Sequence, residues 1–111
     1  MVTSAESCVA LPKNVDFETG CMFFVNPMTA IGMIDISQQY KSKAIVQTAA
    51  CSQLGKMIIH ICKEKKIPLI NIVRKDEHIK ELESLGSEYN LNLNDPQFES
   101  KLTEYATKLN A

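Results

Sequence analysis

The chain of 111 residues carries almost no net charge, with 12 Lys and Arg against 13 Asp and Glu spread along its length. Lacking a basic stripe, it has no electrostatic footprint of a nucleic-acid or membrane-surface protein. No apolar run approaches the roughly 20 residues that cross a bilayer. The first fifteen residues show neither a basic start followed by an apolar stretch nor an Arg-rich amphipathic pattern. No secretory signal or transit peptide is therefore expected. Four cysteines are present, Cys8, Cys21, Cys51 and Cys62, without a Cys-x-x-Cys pair. The expectation is no metal site, no redox motif and four reduced thiols in a reducing intracellular compartment, the cytoplasm ahead of the mitochondrion. What remains is an ordinary composition, 45% hydrophobic and 23% charged, at a length that suits one domain.

The hydrophobic pattern alternates between two periods. Residues 1–15 read as extended, with Pro12 limiting any helix. Asp16 to Phe24 reads as a short helix capped by Asp16, with Phe23 and Phe24 buried. Asn26-Pro27 reads as the cap and first position of a second helix reaching about Gln39, with Met28, Ile31, Met33 and Ile34 as its apolar residues. After the polar break Tyr40 to Lys43, Ala44 to Thr48 is a first strand. Leu54, Met57, Ile58, Ile61 and Cys62 then recur at helical spacing. Lys63 to Lys66 closes that helix with positive charge, and Pro68 stops it. Leu69 to Val73 is a mostly apolar second strand, as expected when both sheet faces are covered. Asp76 is the expected cap of the next helix, with Ile79, Leu82 and Leu85 as its face and Gly86 as its end. Tyr89 to Leu93 is a third strand, and Asp95-Pro96 opens a last helix striped by Phe98, Leu102, Tyr105 and Leu109. Strands alternating with helices predict an α/β fold with a parallel sheet and right-handed crossovers.

The stretch from Thr48 to Gly55 has the greatest functional content. A strand runs through small residues into a helix, the shape of a phosphate-cradling turn. Where the pattern calls for glycine at three-residue spacing, the chain has Ala49, Ser52 and Gly55. Two readings stand: backbone N–H groups offered to a diphosphate, or a small-residue turn needed for close helix–sheet packing.

Several strings coincide in order and spacing: Phe23-Phe24-Val25-Asn26-Pro27-Met28-Thr29-Ala30, the Thr48 to Gly55 turn, Ile70-Asn71-Ile72-Val73-Arg74, and Leu85-Gly86-Ser87-Glu88-Tyr89. Together they resemble the medium-chain dehydrogenase/reductase superfamily, and within it the zinc-independent branch of NADPH-dependent quinone oxidoreductases and 2-enoyl thioester reductases. The resemblance runs from about Ala5 to Leu109. It implies that residues 1–40 are a linker and helices entering the cofactor domain. Residues 41–111 would be a partial Rossmann NAD(P)-binding domain, a three-layer unit of about three parallel strands in the order 3-2-1, incomplete as a sheet. By the same resemblance the family's catalytic domain lies outside this chain. No catalytic residue is assigned here, and the chain alone is expected to be inactive.

The cofactor implied is NADPH, and the implied binding residues are Thr29, Ala49, Ser52, Gln53, Leu54, Arg74 and Lys75. Arg74 is the sharpest of them. It ends the second strand 19 positions after Gly55. NAD-specific folds place an acid about 20 residues on, whereas an arginine there accommodates a 2′-phosphate. No acid occupies positions 73 to 75, and Lys75 adds a second cation. A solvated basic pair is the plainer alternative. Thr29 and Asn26 flank the cleft in the family, but capping explains Asn26 equally well. His60 and His78 read as structural or surface histidines, and Tyr40, Tyr89 and Tyr105 have no pattern supporting a proton donor. For Cys51 a thiol activated by the helix dipole is chemically reasonable, and packing is the commoner explanation.

Three strands in the order 3-2-1 leave the apolar strand 1 with an open edge, an association hazard. The chain is therefore expected to self-associate or to complete its sheet with another polypeptide. Two functions follow: the NADPH-binding portion of a zinc-independent oxidoreductase, or a non-catalytic accessory or structural subunit derived from one.

Overall fold

The structure, a computed structural model, describes residues 2–111. Its helices are α1 (Phe17–Gly20), α2 (Val25–Gln39), α3 (Gln53–Lys65), α4 (Asp76–Ser84) and α5 (Phe98–Leu109), and its strands are β1 (Ile45–Thr48), β2 (Leu69–Val73) and β3 (Tyr89–Asn92). The strands form one parallel sheet in the order β1-β2-β3. This is the expected 3-2-1 arrangement, an α/β unit of Rossmann type with an incomplete sheet.

β2 explains why the sheet is buried on both sides. Leu69 and Val73 point into one core with Ala30, Ile34, Ile58, Ile59, Cys62 and Leu82. Ile70 and Ile72 point into the other with Leu91, against Phe98, Leu102, Tyr105 and Leu109 of α5. Thus α2, α3 and α4 cover one face and α5 the other. β1 is less protected, because α5 packs on β3 and Val46 stays 46% exposed.

Asn71 breaks the apolar run of β2, yet it is completely buried. Parallel register places Gln47, Asn71 and Asn90 in one row. Gln47 Nε2 donates to Asn71 Oδ1 (2.6 Å) and to Gly55 O (3.2 Å). Asn71 Nδ2 donates to Ser87 Oγ (2.6 Å) and to Asn90 Oδ1 (3.4 Å), and Ser87 Oγ donates to the same Asn90 oxygen (2.7 Å). A buried amide left unpaired would cost about 1–3 kcal/mol, and this row satisfies Asn71 on both sides. It ties all three strands to α3.

Several local expectations are met. Asp16 caps α1, accepting from Thr19 N at 2.7 Å, and that bond holds its carboxyl below the usual range. Lys66 closes α3 in the left-handed conformation, and Gly86 ends α4 at φ +81°. Others are corrected. α2 begins at Val25 with Phe24 at its cap, so Asn26 lies inside the helix. Phe23 and Phe24 are 44% and 58% exposed rather than buried; they pack edge-on against each other at 6.2 Å, with no core element over them. On α2, Ala30 and Ile34 are buried, while Met28, Ile31 and Met33 are exposed. The helix is apolar nearly all round, and α3 covers one side of it. Asp76 is the first residue of α4 and not its cap; its carboxylate accepts from Asn92 Nδ2 at 2.7 Å, tying α4 to the end of β3. α5 starts at Phe98, after Asp95 accepts from Gln97 N in the preceding turn.

Gly55 sets how closely α3 approaches β1. A Cβ there would lie 2.7 Å from the carbonyl carbon and 2.8 Å from the Cα of Ala50, and closer still to its oxygen. Ala50 is itself fully buried, so neither backbone can yield. Gly55→Ala should destabilise the chain by about 1–3 kcal/mol, the range of overpacked cores; a denaturant midpoint within error of wild type would contradict this contact. Burial also pushes the Cys62 thiol up to about 11, whereas Cys8 and Cys21 are exposed. In native protein at mildly alkaline pH, mass spectrometry should find iodoacetamide on Cys8 and Cys21, with Cys62 alkylated only after unfolding.

Candidate functional site

The carboxyl ends of β1 and β2 open into a cavity of about 580 Å³. It is lined by the Thr48–Ser52 turn on one side and by Arg74, Lys75, His78 and Glu81 on the other, with Leu93 beneath. In open parallel α/β sheets this end of the strands is where ligands sit.

The turn is built residue by residue. Ala49 takes the left-handed conformation at φ +53°, a position costing an alanine about 1–2 kcal/mol and a glycine almost nothing. This is the first of the sites where the phosphate-turn pattern calls for glycine. Ala50 N donates to Ile72 O at 3.4 Å, and Ser52 N to Ala49 O at 2.9 Å. Ser52 is the cap of α3, its Oγ accepting from Gly55 N at 3.0 Å. Gln53 and Leu54, the first two helical residues, have N–H groups without a carbonyl acceptor among the described residues. These amides and the positive end of the helix dipole are what an anion would use.

Arg74 follows β2 directly. Its carbonyl accepts from Asn94 Nδ2 at 2.9 Å, and Val73 O accepts from Leu93 N at 2.8 Å, so the strand end is pinned. Among the described residues Arg74 makes no ion pair. Lys75 is the α4 cap residue and pairs with Glu77 at 3.2 Å in an exposed contact. Glu81 is the one carboxylate of the lining, and Lys56 of α3 engages it at 2.5 Å. That hydrogen bond holds the Glu81 carboxyl below its ordinary range and raises Lys56. The cleft is thereby left with an excess of positive charge.

The structure brings Ala49, Ser52, Arg74 and Lys75 together around this cavity. The side chains of the other candidates point elsewhere. Leu54 packs on the α2–α3 core. Gln53 borders a separate apolar groove of about 380 Å³ with Pro27, Ile31 and Met57. Thr29 donates its hydroxyl to Val25 O of its own helix at 2.7 Å. Gln53 and Leu54 can still contribute through their backbone amides.

Glu81 and its partner Lys56 gave no signal in the sequence. They lie far apart in the chain and meet only when α4 packs beside α3. His78 is half-buried at the cavity wall rather than on open surface. Cys51 is half-buried, and burial, followed by the nearby Glu81, pushes its thiol up. That direction disfavours a thiolate, and Cys51 packs against the first core. Tyr89 and Tyr105 stack edge-on at 5.2 Å in the second core. No group of three His, Cys, Asp or Glu that could hold a metal stands together among the described residues.

No protein-family model matches the chain. Individual proteins do. The chain is 32% identical over 93 residues to the mitochondrial enoyl-[acyl-carrier-protein] reductase of Mus musculus, covering 79% of this chain and 25% of that protein. With the mitochondrial enoyl-[acyl-carrier-protein] reductase of Caenorhabditis elegans the identity is 34% over 83 residues, 70% of this chain and 24% of that one. A crystal structure from Mesorhizobium loti, assigned as an NADPH:quinone reductase, superposes with a TM-score of 0.86 at 41% identity, over 94% of this chain and 30% of that chain. A Bacillus thuringiensis structure, at 24% identity and a TM-score of 0.65, shares the fold. The chain thus spans about a quarter of the length of the enoyl reductases it matches. By sequence and by superposition, this chain is homologous to a part of the enoyl-thioester and NADPH:quinone reductases of the medium-chain dehydrogenase/reductase superfamily.

Proposed function

We propose that this chain is the NADPH-binding portion of a zinc-independent reductase, and that it seats the phosphorylated adenosine end of the cofactor. One observation carries the reading: Ala49 and Ser52 of the turn that leads into α3 border the same cavity as Arg74, which makes no ion pair among the described residues. The residues fit such a group. The small side chains of Ala49 and Ser52 leave the turn's backbone accessible, Gly55 lets α3 begin against the strand, and Glu81 is neutralised by Lys56. In this reading the amides of Gln53 and Leu54 bind the pyrophosphate, while Arg74 and Lys75 hold the ribose phosphate. Bound NADPH would supply a hydride; the protein contributes position and charge. The quinone or enoyl thioester preference of such a reductase is set outside this chain in the same reading.

A second reading, a non-catalytic accessory subunit derived from such a reductase, is favoured by a different observation. The β1 edge is open, Val46 is uncovered, and α2 exposes Met28, Met33 and Ile36. In either reading the β1 edge is left to be covered. α5 lies on the face opposite α3 and α4, so a right-handed crossover through it would deliver a further strand to the free edge of β1. We infer that a further segment, a second copy or another polypeptide completes the sheet there. The free thiols suit a reducing compartment, and the mitochondrial relatives make the mitochondrion as good an assignment as the cytoplasm.

Calorimetric titration with 2′-phospho-AMP distinguishes the two readings. Arg74→Ala should weaken 2′-phospho-AMP by about tenfold, near 1.4 kcal/mol, and leave 5′-AMP unchanged. Wild-type protein that ignores both 2′-phospho-AMP and NADPH at millimolar concentration would leave the accessory reading. Light scattering on a size-exclusion column should find the chain in oligomers or bound to a partner. A stable monomer with one cooperative unfolding transition would remove the sheet-completion inference.

A further inference from the structure

The cavity wall holds a third basic side chain, on the third residue of α4. His78 is half-buried and borders the same cavity as Arg74 and Lys75. Its carbonyl oxygen lies 3.6 Å from Cys51 Sγ, so this turn of α4 rests against the turn that opens α3. Every element around it contributes a group whose state can be named. Arg74, at the end of β2, has no carboxylate partner among the described residues. On α4, Lys75 shares its charge with Glu77, and Glu81 is taken by Lys56 of α3. The α3 turn presents Cys51, a thiol that burial keeps protonated. The segment after β3 presents Leu93, which is apolar. The cationic heads not already committed are therefore Arg74 and, once protonated, His78.

We propose that His78 is a specificity-determining and pH-sensitive part of the ribose-phosphate seat, joining Arg74 on the phosphate when its imidazole is charged. This rests on the NADPH reading above. A neutral imidazole offers one N–H donor and an imidazolium two, and a neighbouring dianion favours the charged form. A phosphate held beside the ring therefore binds more tightly where the imidazole carries its second proton. The phosphate ester has its own ionisation near pH 6, which acts in the opposite sense. The informative comparison is therefore between variants at one pH.

The test uses the whole 111-residue chain, wild type and His78→Gln, titrated with 2′-phospho-AMP and with 5′-AMP at about pH 6 and about pH 8. His78→Gln should weaken 2′-phospho-AMP roughly three- to tenfold at the lower pH and less than about twofold at the higher, without changing 5′-AMP. NMR supplies a reading that needs no variant. The chain has two histidines, and His60 pairs with Glu64 and borders a different groove. Saturating 2′-phospho-AMP should move the titration midpoint of the His78 ring to higher pH and leave that of His60 in place. Equal affinities of wild type and His78→Gln at the lower pH, with Arg74→Ala still impaired, would overturn the role of His78 and spare the cofactor reading. Absence of 2′-phospho-AMP binding to wild type would remove both.

Discussion

The arrangement of the cleft depends on how closely α3 can begin against β1. Gly55 meets the backbone of Ala50 with no room for a Cβ, and the turn between them uses the left-handed conformation at Ala49 to reverse direction. Once those two conditions hold, α3 starts directly after the carboxyl end of β1, and Ala49 and Ser52 of the turn line the cleft. The cap from Ser52 Oγ to Gly55 N completes the turn with the same few residues. Close packing and a turn whose small residues line the cleft are one geometry here. The two readings that the small-residue pattern left open are therefore compatible, and the packing requirement holds whether or not a ligand binds.

A second constraint fixes the sheet. Parallel strands in this register set Gln47, Asn71 and Asn90 side by side, and their amides with Ser87 form a row in which the fully buried Asn71 is satisfied. Such a row tolerates no slip of one residue, since every amide would then face the opposite core. Gln47 also reaches Gly55 O, so the row that sets strand register also holds the start of α3. The cleft inherits its position from this network.

Electrostatics in the cleft follow from packing between helices. Lys56 and Glu81 meet because α3 and α4 lie on the same face of the sheet, and their pairing removes the one negative charge that would oppose an anionic ligand. The outer surface differs in kind. α2 carries apolar residues around its circumference, and α3 covers only the side that includes Ala30 and Ile34. With Val46 uncovered on β1, the chain presents apolar surface of the kind that marks association faces.

The sequence by itself determined the succession of elements, because each strand and helix declares its own period, caps and stops. β2 appears at Leu69 to Val73 as read, α3 spans its stripe, and α5 carries Phe98, Leu102, Tyr105 and Leu109 on one face. The turn after Thr48 and the Arg74-Lys75 pair were also legible, since each is a local pattern at a strand end. Where local rules competed with neighbours, the neighbours won: Asp76 serves β3 through Asn92 instead of capping α4, and Phe23 and Phe24 have no core over them. Only the tertiary structure decided that Gln53 and Leu54 point their side chains away from the cleft, that Glu81 is silenced by Lys56, that His78 stands at the wall and that Asn71 is buried with partners. Each of these is a meeting of residues far apart in the chain, and no local periodicity carries information about which of them will touch.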